Sequence, residues 1–168
     1  NDKDEPHCNF NDVLSTVNDI IILSGTINGL IGKLFVKGRI EEIEEIYSNL
    51  KKKFKNNFYI EIQRHGDENE KTFEQFNLNL SKKLDIPIIA TNEVFYISKD
   101  MHDAHDALIC IGNKTYLNEK NRIKYSNNHY LKSDNEMEKI FSDLPEALEN
   151  NYNLIYKCNF KPNFSKPV

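Results

Sequence analysis

Ile20 to Ser24 is a short aliphatic run closed by Ser24 and Gly25, the pattern of a strand buried on both faces. Ile40, Ile43, Ile46, Leu50 and Phe54 then recur at intervals of three and four, which predicts a helix with one apolar stripe. Phe58, Ile60 and Ile62 alternate with Tyr59, Glu61 and Gln63, so a second strand follows with a polar face opposite its apolar one. Another helical stripe at Phe73, Phe76, Leu80 and Leu84 leads to a third aliphatic strand over Ile86 to Ala90. The order is β-α-β-α-β. Crossovers of that length join parallel strands, whose ligands collect at the carboxyl ends. Three segments are thereby expected to meet: Ser24, Gly25 and Thr26; Gln63, Arg64 and His65; and Thr91, Asn92 and Glu93.

Beyond these strands the pattern turns helical. Asp100 is placed to cap a helix whose stripe is Ala104, Leu108 and Ile111 and which Gly112 ends. Asn113 to Tyr130 is polar with scattered apolar positions and reads as a long loop or a short hairpin. Ser133 with Glu136 makes a capping box, and Asp143 with Glu146 repeats the logic around Pro145, so closing helices are expected near 134–141 and 144–157. Lys161 to Val168, with Pro162 and Pro167, reads as a linker. The fold class is α/β with a helical C-terminal end, in one unit without internal repeats.

Charge narrows the function. Net charge is −4, and Arg39, Arg64 and Arg122 are the only arginines, so the chain lacks the basic field that gives affinity for nucleic-acid phosphates. Lys51, Lys52, Lys53 and Lys55 read as a solvated helix end, where cations suit the dipole. Cys8, Cys110 and Cys158 have neither disulfide nor zinc spacing, which points to the reducing cytoplasm. No apolar run approaches the roughly 18 residues of a membrane span, and Asn1 to Phe10 carries no apolar segment of a secretory signal.

Candidate chemistry is sparse. Glu61 and Gln63 share one strand face: inside a closed barrel they would be ligand or orienting groups, and on a sheet edge they would face water. Arg64, His65 and Gly66 sit where a strand becomes a loop, a usual place for contacts to phosphate or carboxylate. His102, Asp103, His105 and Asp106 have a donor set suited to zinc or manganese, although acids near a helix start also serve its dipole. Asp2 and Asp4 form the one Asp-x-Asp pair, and no glycine-rich phosphate loop or nucleophile elbow occurs.

Four blocks carry a resemblance. They are Phe58-Tyr59-Ile60-Glu61-Ile62-Gln63-Arg64-His65-Gly66, then Ile86-Pro87-Ile88-Ile89-Ala90-Thr91-Asn92-Glu93-Val94-Phe95, then Ala104-His105-Asp106-Ala107-Leu108-Ile109-Cys110-Ile111-Gly112, and Asp143-Leu144-Pro145-Glu146-Ala147-Leu148-Glu149-Asn150. With Leu23-Ser24-Gly25, in this order and spacing, the chain resembles the polymerase-and-histidinol-phosphatase (PHP) domain of bacterial replicative DNA polymerase III alpha subunits from about residue 12 to 162.

The resemblance implies a distorted TIM-like (βα)7 barrel, parallel strands inside and helices outside, of which this chain would hold part. Residues 12–160 would form an incomplete PHP domain lacking the opening strands and their His-x-His motif, with 1–11 as a tail and 161–168 as a linker. Open sheet edges, which invite pairing, are expected from that truncation. The implied parent is a DNA-directed DNA polymerase, a nucleotidyltransferase of DNA replication that uses magnesium at palm carboxylates not found here. This piece would contribute no catalytic residue to that reaction.

Metal-binding members of the family hold a trinuclear cluster at the strand ends, and three of its ligand positions fall in this chain. The pattern has cysteine where Thr26 stands, and Asp-x-His where Glu93, Val94 and Phe95 stand. Glu93 alone keeps a strong ligand atom, so a degenerate site is implied: no metal on this fragment, and zinc or manganese only if the site is active. Thr26, Glu61, Arg64, His65 and Asn92 would remain as its rim, while His105 and Asp106 match a family pattern of capping and packing. The implied role is a structural and interaction module. Its partners would be the remainder of the alpha subunit and the proofreading exonuclease, with DNA reached only through the parent. The alternative is a metal-dependent phosphoesterase or pyrophosphatase.

Overall fold

In a computed structural model that describes residues 8–16 and 19–162, the chain runs α1 (Phe10–Thr16), β1 (Ile22–Leu23), α2 (Leu30–Val36), α3 (Ile40–Phe54), β2 (Phe58–Ile62), α4 (Glu70–Leu84), β3 (Ile88–Ala90), α5 (His102–Gly112), α6 (Asp134–Ile140) and α7 (Pro145–Lys157). Short 3-10 turns precede β2 and α5. The three strands form one parallel sheet in the order β1-β2-β3, with Ile22 opposite Phe58 and Ile60 opposite Ile88. Asp2, Asp4 and Pro167 lie outside the described residues.

The apolar stripes become the core. Ile43, Tyr47, Leu50 and Phe54 of α3 and Phe73 and Leu80 of α4 are buried with Phe58, Ile60 and Ile62 of β2. Tyr47 packs edge-on to Phe58 at 5.4 Å, and its hydroxyl donates to Asn77 Oδ1 of α4 at 3.0 Å, joining the two helices behind the sheet. Burial pushes the Tyr47 phenol far above its ordinary pKa. The Phe35 ring of α2 packs at a tilt against Phe73 and Phe76, with centroids 5.2 Å from each. Between α2 and α3 the chain reverses at Gly38, whose φ of +71° lets Gly38 N–H reach Phe35 O and Arg39 N–H reach Leu34 O. Gly32 is needed for closeness: a Cβ there would lie 2.0 Å from Ile27 O.

Several expectations are corrected. β1 is two residues long and half-buried, with Ile20 36% exposed before it, because among the described residues no strand pairs along its outer edge. β3 begins at Ile88, after Pro87, which has no amide hydrogen to give a ladder. Tyr59, read as part of a polar face, is 3% exposed; Lys157 of α7 lies against its ring and donates to its hydroxyl at 2.8 Å. Asp100 sits in the 3-10 turn ahead of α5, and Ser98 precedes that turn. The capping box of Ser133 and Glu136 and the placement of Pro145 in the first turn of α7 are found as expected.

The outer edge of β3 is not open. Asn150 Nδ2 of α7 donates to Ile88 O at 2.8 Å and Asn151 Nδ2 to Ala90 O at 2.6 Å. Pro87 O points the other way, to Ile60 N–H of β2. Side-chain amides thus occupy the carbonyls a further strand would use. No helix among the described residues is long and apolar enough to cross a membrane.

Candidate functional site

The parallel sheet places the ends of β2 and β3 side by side, and the loop from Tyr125 to Lys132 closes over them. Leu131 N–H bonds to Tyr96 O and Phe95 N–H to His129 O. Ser126 Oγ and Asn128 Nδ2 both donate to His65 O, at 2.8 and 2.9 Å. Tyr96 Oη donates to Ser126 O at 2.8 Å.

His65 is 1% exposed. Its Nε2 lies 3.0 Å from Asn92 Oδ1 and 3.2 Å from the N–H of Glu93, so either neutral tautomer finds a partner there. Its Nδ1 is 3.4 Å from Glu70 Oε1. Glu70, in the first turn of α4, also accepts the backbone N–H groups of His65 and Gly66. Burial alone would raise its carboxyl pKa, but these bonds from His65 and Gly66 outweigh it and hold the group below its ordinary value. Asn92, brought to His65 as the sequence order predicts, donates to Tyr130 O at 2.8 Å and accepts from Lys132 Nζ at 2.7 Å. Desolvation keeps the Lys132 pKa below its ordinary value.

His129 is the residue the sequence did not single out. It is 0% exposed, and its ring stacks on His65 with centroids 4.1 Å apart and planes 2° from parallel. Neither ring nitrogen has a hydrogen-bond partner. Asp67 Oδ1 lies 3.7 Å from Nε2, and Glu93 Oε2 lies 3.8 Å from Nδ1. Burial first and the neighbouring His65 second push the His129 pKa below its ordinary value, against Asp67 and Glu93. Among the described residues, His65, Asp67 and His129 form the one group of His, Cys and carboxylate donors spaced to share a metal ion, with ligand atoms all within 4.8 Å of one another.

The other predicted residues are placed differently. Arg64 uses all five N–H donors inside the protein: two go to Glu74 of α4 at 2.9 and 2.6 Å, two to Asp143 at 2.7 and 2.9 Å, and one to Ile140 O. Its guanidinium lies 4.8 Å from the Phe141 ring centroid, and these anionic partners raise its pKa. Glu61 and Gln63 are joined on the same face, with Gln63 Nε2 3.2 Å from Glu61 Oε1 and 2.8 Å from Thr91 Oγ1, while the Thr91 hydroxyl donates to Glu61. Thr26 lines a narrow cleft with Glu61, Gln63, Glu70 and Glu74. Of the four-residue box on α5, Asp106 forms a two-pronged ion pair with Arg122 at 2.5 and 2.7 Å, and His102 meets Tyr125 O at 3.1 Å.

The residues present do not fit the trinuclear cluster implied by resemblance. Phe95 offers no donor, and its ring packs between Tyr125 at 4.3 Å, His129 at 5.1 Å and His105 at 5.6 Å. Thr26 is a weak ligand.

Comparison with known proteins agrees with the blocks read from the sequence. Residues 1–65 match the family model of the PHP domain. The chain is 37% identical over 162 residues to the DNA polymerase III subunit alpha of Rickettsia bellii, covering 96% of this chain. It is 34% identical over 165 residues to that of Borreliella burgdorferi, covering 97%, and 33% over 149 residues to that of Caulobacter vibrioides, covering 89%. It spans 14%, 14% and 13% of those three relatives. Nearly the whole chain is thus similar to one stretch of DNA polymerase III alpha subunits, and its first 65 residues match the PHP domain.

Proposed function

We propose that this segment is a structural and interaction module of a replicative polymerase alpha subunit and carries no hydrolytic centre of its own. The observation that supports this reading most is Phe95: where the resemblance implies a histidine ligand, an aromatic ring is packed into the wall of the site. Arg64 supports it too, since a side chain with every donor engaged internally has none left for a phosphate. On this reading residues 12–160 are the PHP portion, an arc of the (βα)7 barrel, and 161–168 a linker. Full closure of that barrel would require α7 to release the edge of β3.

Its partners are then the rest of the alpha subunit and the proofreading exonuclease, in the cytoplasm, with magnesium and DNA handled by the parent enzyme. The test is a manganese-supplemented assay for phosphodiester and pyrophosphate hydrolysis, run on this chain and on the complete alpha subunit, beside a binding assay with the exonuclease. No turnover with either polypeptide, and exonuclease binding lost when this segment is deleted from the subunit, is the expected result. A second reading, a metal-dependent phosphoesterase with Glu93 as a ligand, draws on the 3.8 Å approach of Glu93 to His129. Manganese-dependent turnover abolished by Glu93→Gln would select it.

A further inference from the structure

We propose that His65, Asp67 and His129 bind one zinc ion, at a position separate from the ligand positions that the family resemblance implies. The site lies between the end of β2 and the Tyr125–Lys132 loop. This departs from the expectation of a metal-free fragment, and it stands independently of the scaffold role, which requires neither the ion nor its absence.

Four observations carry it. The donor atoms of the three residues already lie within 4.8 Å of one another. His129 is fully buried with both ring nitrogens unpartnered, and a buried imidazole in that state has lost its water and gained nothing in return. Its Nε2 is 3.7 Å from Asp67 Oδ1, too far for a hydrogen bond. Two ligand bonds of about 2.1 Å at a tetrahedral angle hold their donor atoms about 3.4 Å apart, so this pair is already near the spacing an ion needs, while the widest spacing in the group, up to 4.8 Å, has to close as the ion enters. Finally, Glu93 lies beside the other nitrogen, Nδ1, at 3.8 Å, where a carboxylate commonly takes the N–H of a metal-bound histidine and fixes its tautomer.

In the stacked arrangement the two imidazole planes are parallel, so their lone pairs do not converge. Ligation therefore turns one ring. His129 is the ring that turns, because it gives up no hydrogen bond, whereas His65 is held through Nε2 by Asn92 and Glu93. Two imidazoles and one carboxylate fill three positions of a tetrahedral ion, and water takes the fourth.

The test strips the chain with a chelator, reloads it with zinc alone, and counts bound zinc after gel filtration. Cobalt is substituted in parallel to read the ligand field from its visible spectrum. One ion per chain is expected, with affinity reduced by about tenfold or more in Asp67→Asn and His129→Gln and unchanged in His105→Gln, which lies outside the cluster. Asp67 is partly exposed, so its variant keeps the fold and decides the matter if His129→Gln does not. Absence of zinc from the reloaded chain overturns the assignment, and so does binding that Asp67→Asn leaves unchanged.

Discussion

Replacing Arg64 by glutamine is expected to destabilise the chain rather than to disturb a ligand. The guanidinium joins the end of β2 to Glu74 of α4 and to Ile140 O and Asp143 between α6 and α7, so one substitution severs three elements. Side-chain exposure is 23% for Arg64, 16% for Glu74 and 63% for Asp143. Removing one partner of a buried pair costs about 3–5 kcal/mol, whereas an exposed pair is worth about 0–1 kcal/mol. The Glu74 arm belongs near the first class and the Asp143 arm to the second. Discounted for the water that reaches Arg64, the expected loss is about 2–3 kcal/mol. For a chain of this size that is a fall in Tm of about 4–12 °C. Arg64→Lys keeps the charge but not the planar fork and should recover less than half of the loss. Urea unfolding of the parent, both variants and the Arg64→Gln/Glu74→Gln double variant measures the coupling. An Arg64→Gln chain within about 0.5 kcal/mol of the parent would refute the reasoning and return Arg64 to the set of ligand-binding candidates.

Gly32→Ala should cost about 3 kcal/mol or more, since the added Cβ meets backbone atoms of Ile27 that cannot rotate away; thermal melts that superimpose on the parent's would show α2 to be displaceable. Asn150→Ala with Asn151→Ala uncovers two carbonyls on β3 and should cost about 1 kcal/mol per bond while promoting self-association through the freed edge. Light scattering that remains monomeric, with unfolding unchanged, would sink that expectation. Glu136 is held down to about 2, first by the Tyr130 hydroxyl and then by the backbone and side chain of Ser133. Its contribution is complete above its ordinary value of 4.5 and is lost as pH falls through about 2. The stability gap between parent and Glu136→Gln should close across that window; a gap that stays constant down to its acid end would count against it.

The sequence exposed what depends on local period. The stripe on α3 and α4 and the aliphatic runs of β2 and β3 have a spacing that follows from the helix or strand itself, and topology alone then brings His65, Asn92 and Glu93 together. His129 had no such signal. It lies in the polar stretch from Asn113 to Tyr130, while Glu93, Asp67 and His65 stand 36, 62 and 64 residues earlier in the chain, and that loop is brought to the site by bonds to the backbone of Phe95 and Tyr96 and to His65 O, none of which has a local signature. Arg64 was found by its position but its internal use was not legible, because the acids that engage it are 10 residues away on α4 and 79 residues away in the turn between α6 and α7, both at places that look solvated in the sequence. Tyr59 failed for a related reason: alternation assigns a face, but whether a lysine from α7 lies over that face is decided in three dimensions.

Asn150 and Asn151 recognise β3 through its main-chain oxygens, which every residue supplies. The fit of α7 to the strand is therefore insensitive to which side chains β3 carries. Substitutions at Ile88 or Ala90 that keep the volume of the packed interior leave both bonds intact, so the strand is free to drift in sequence while the helix holds its place.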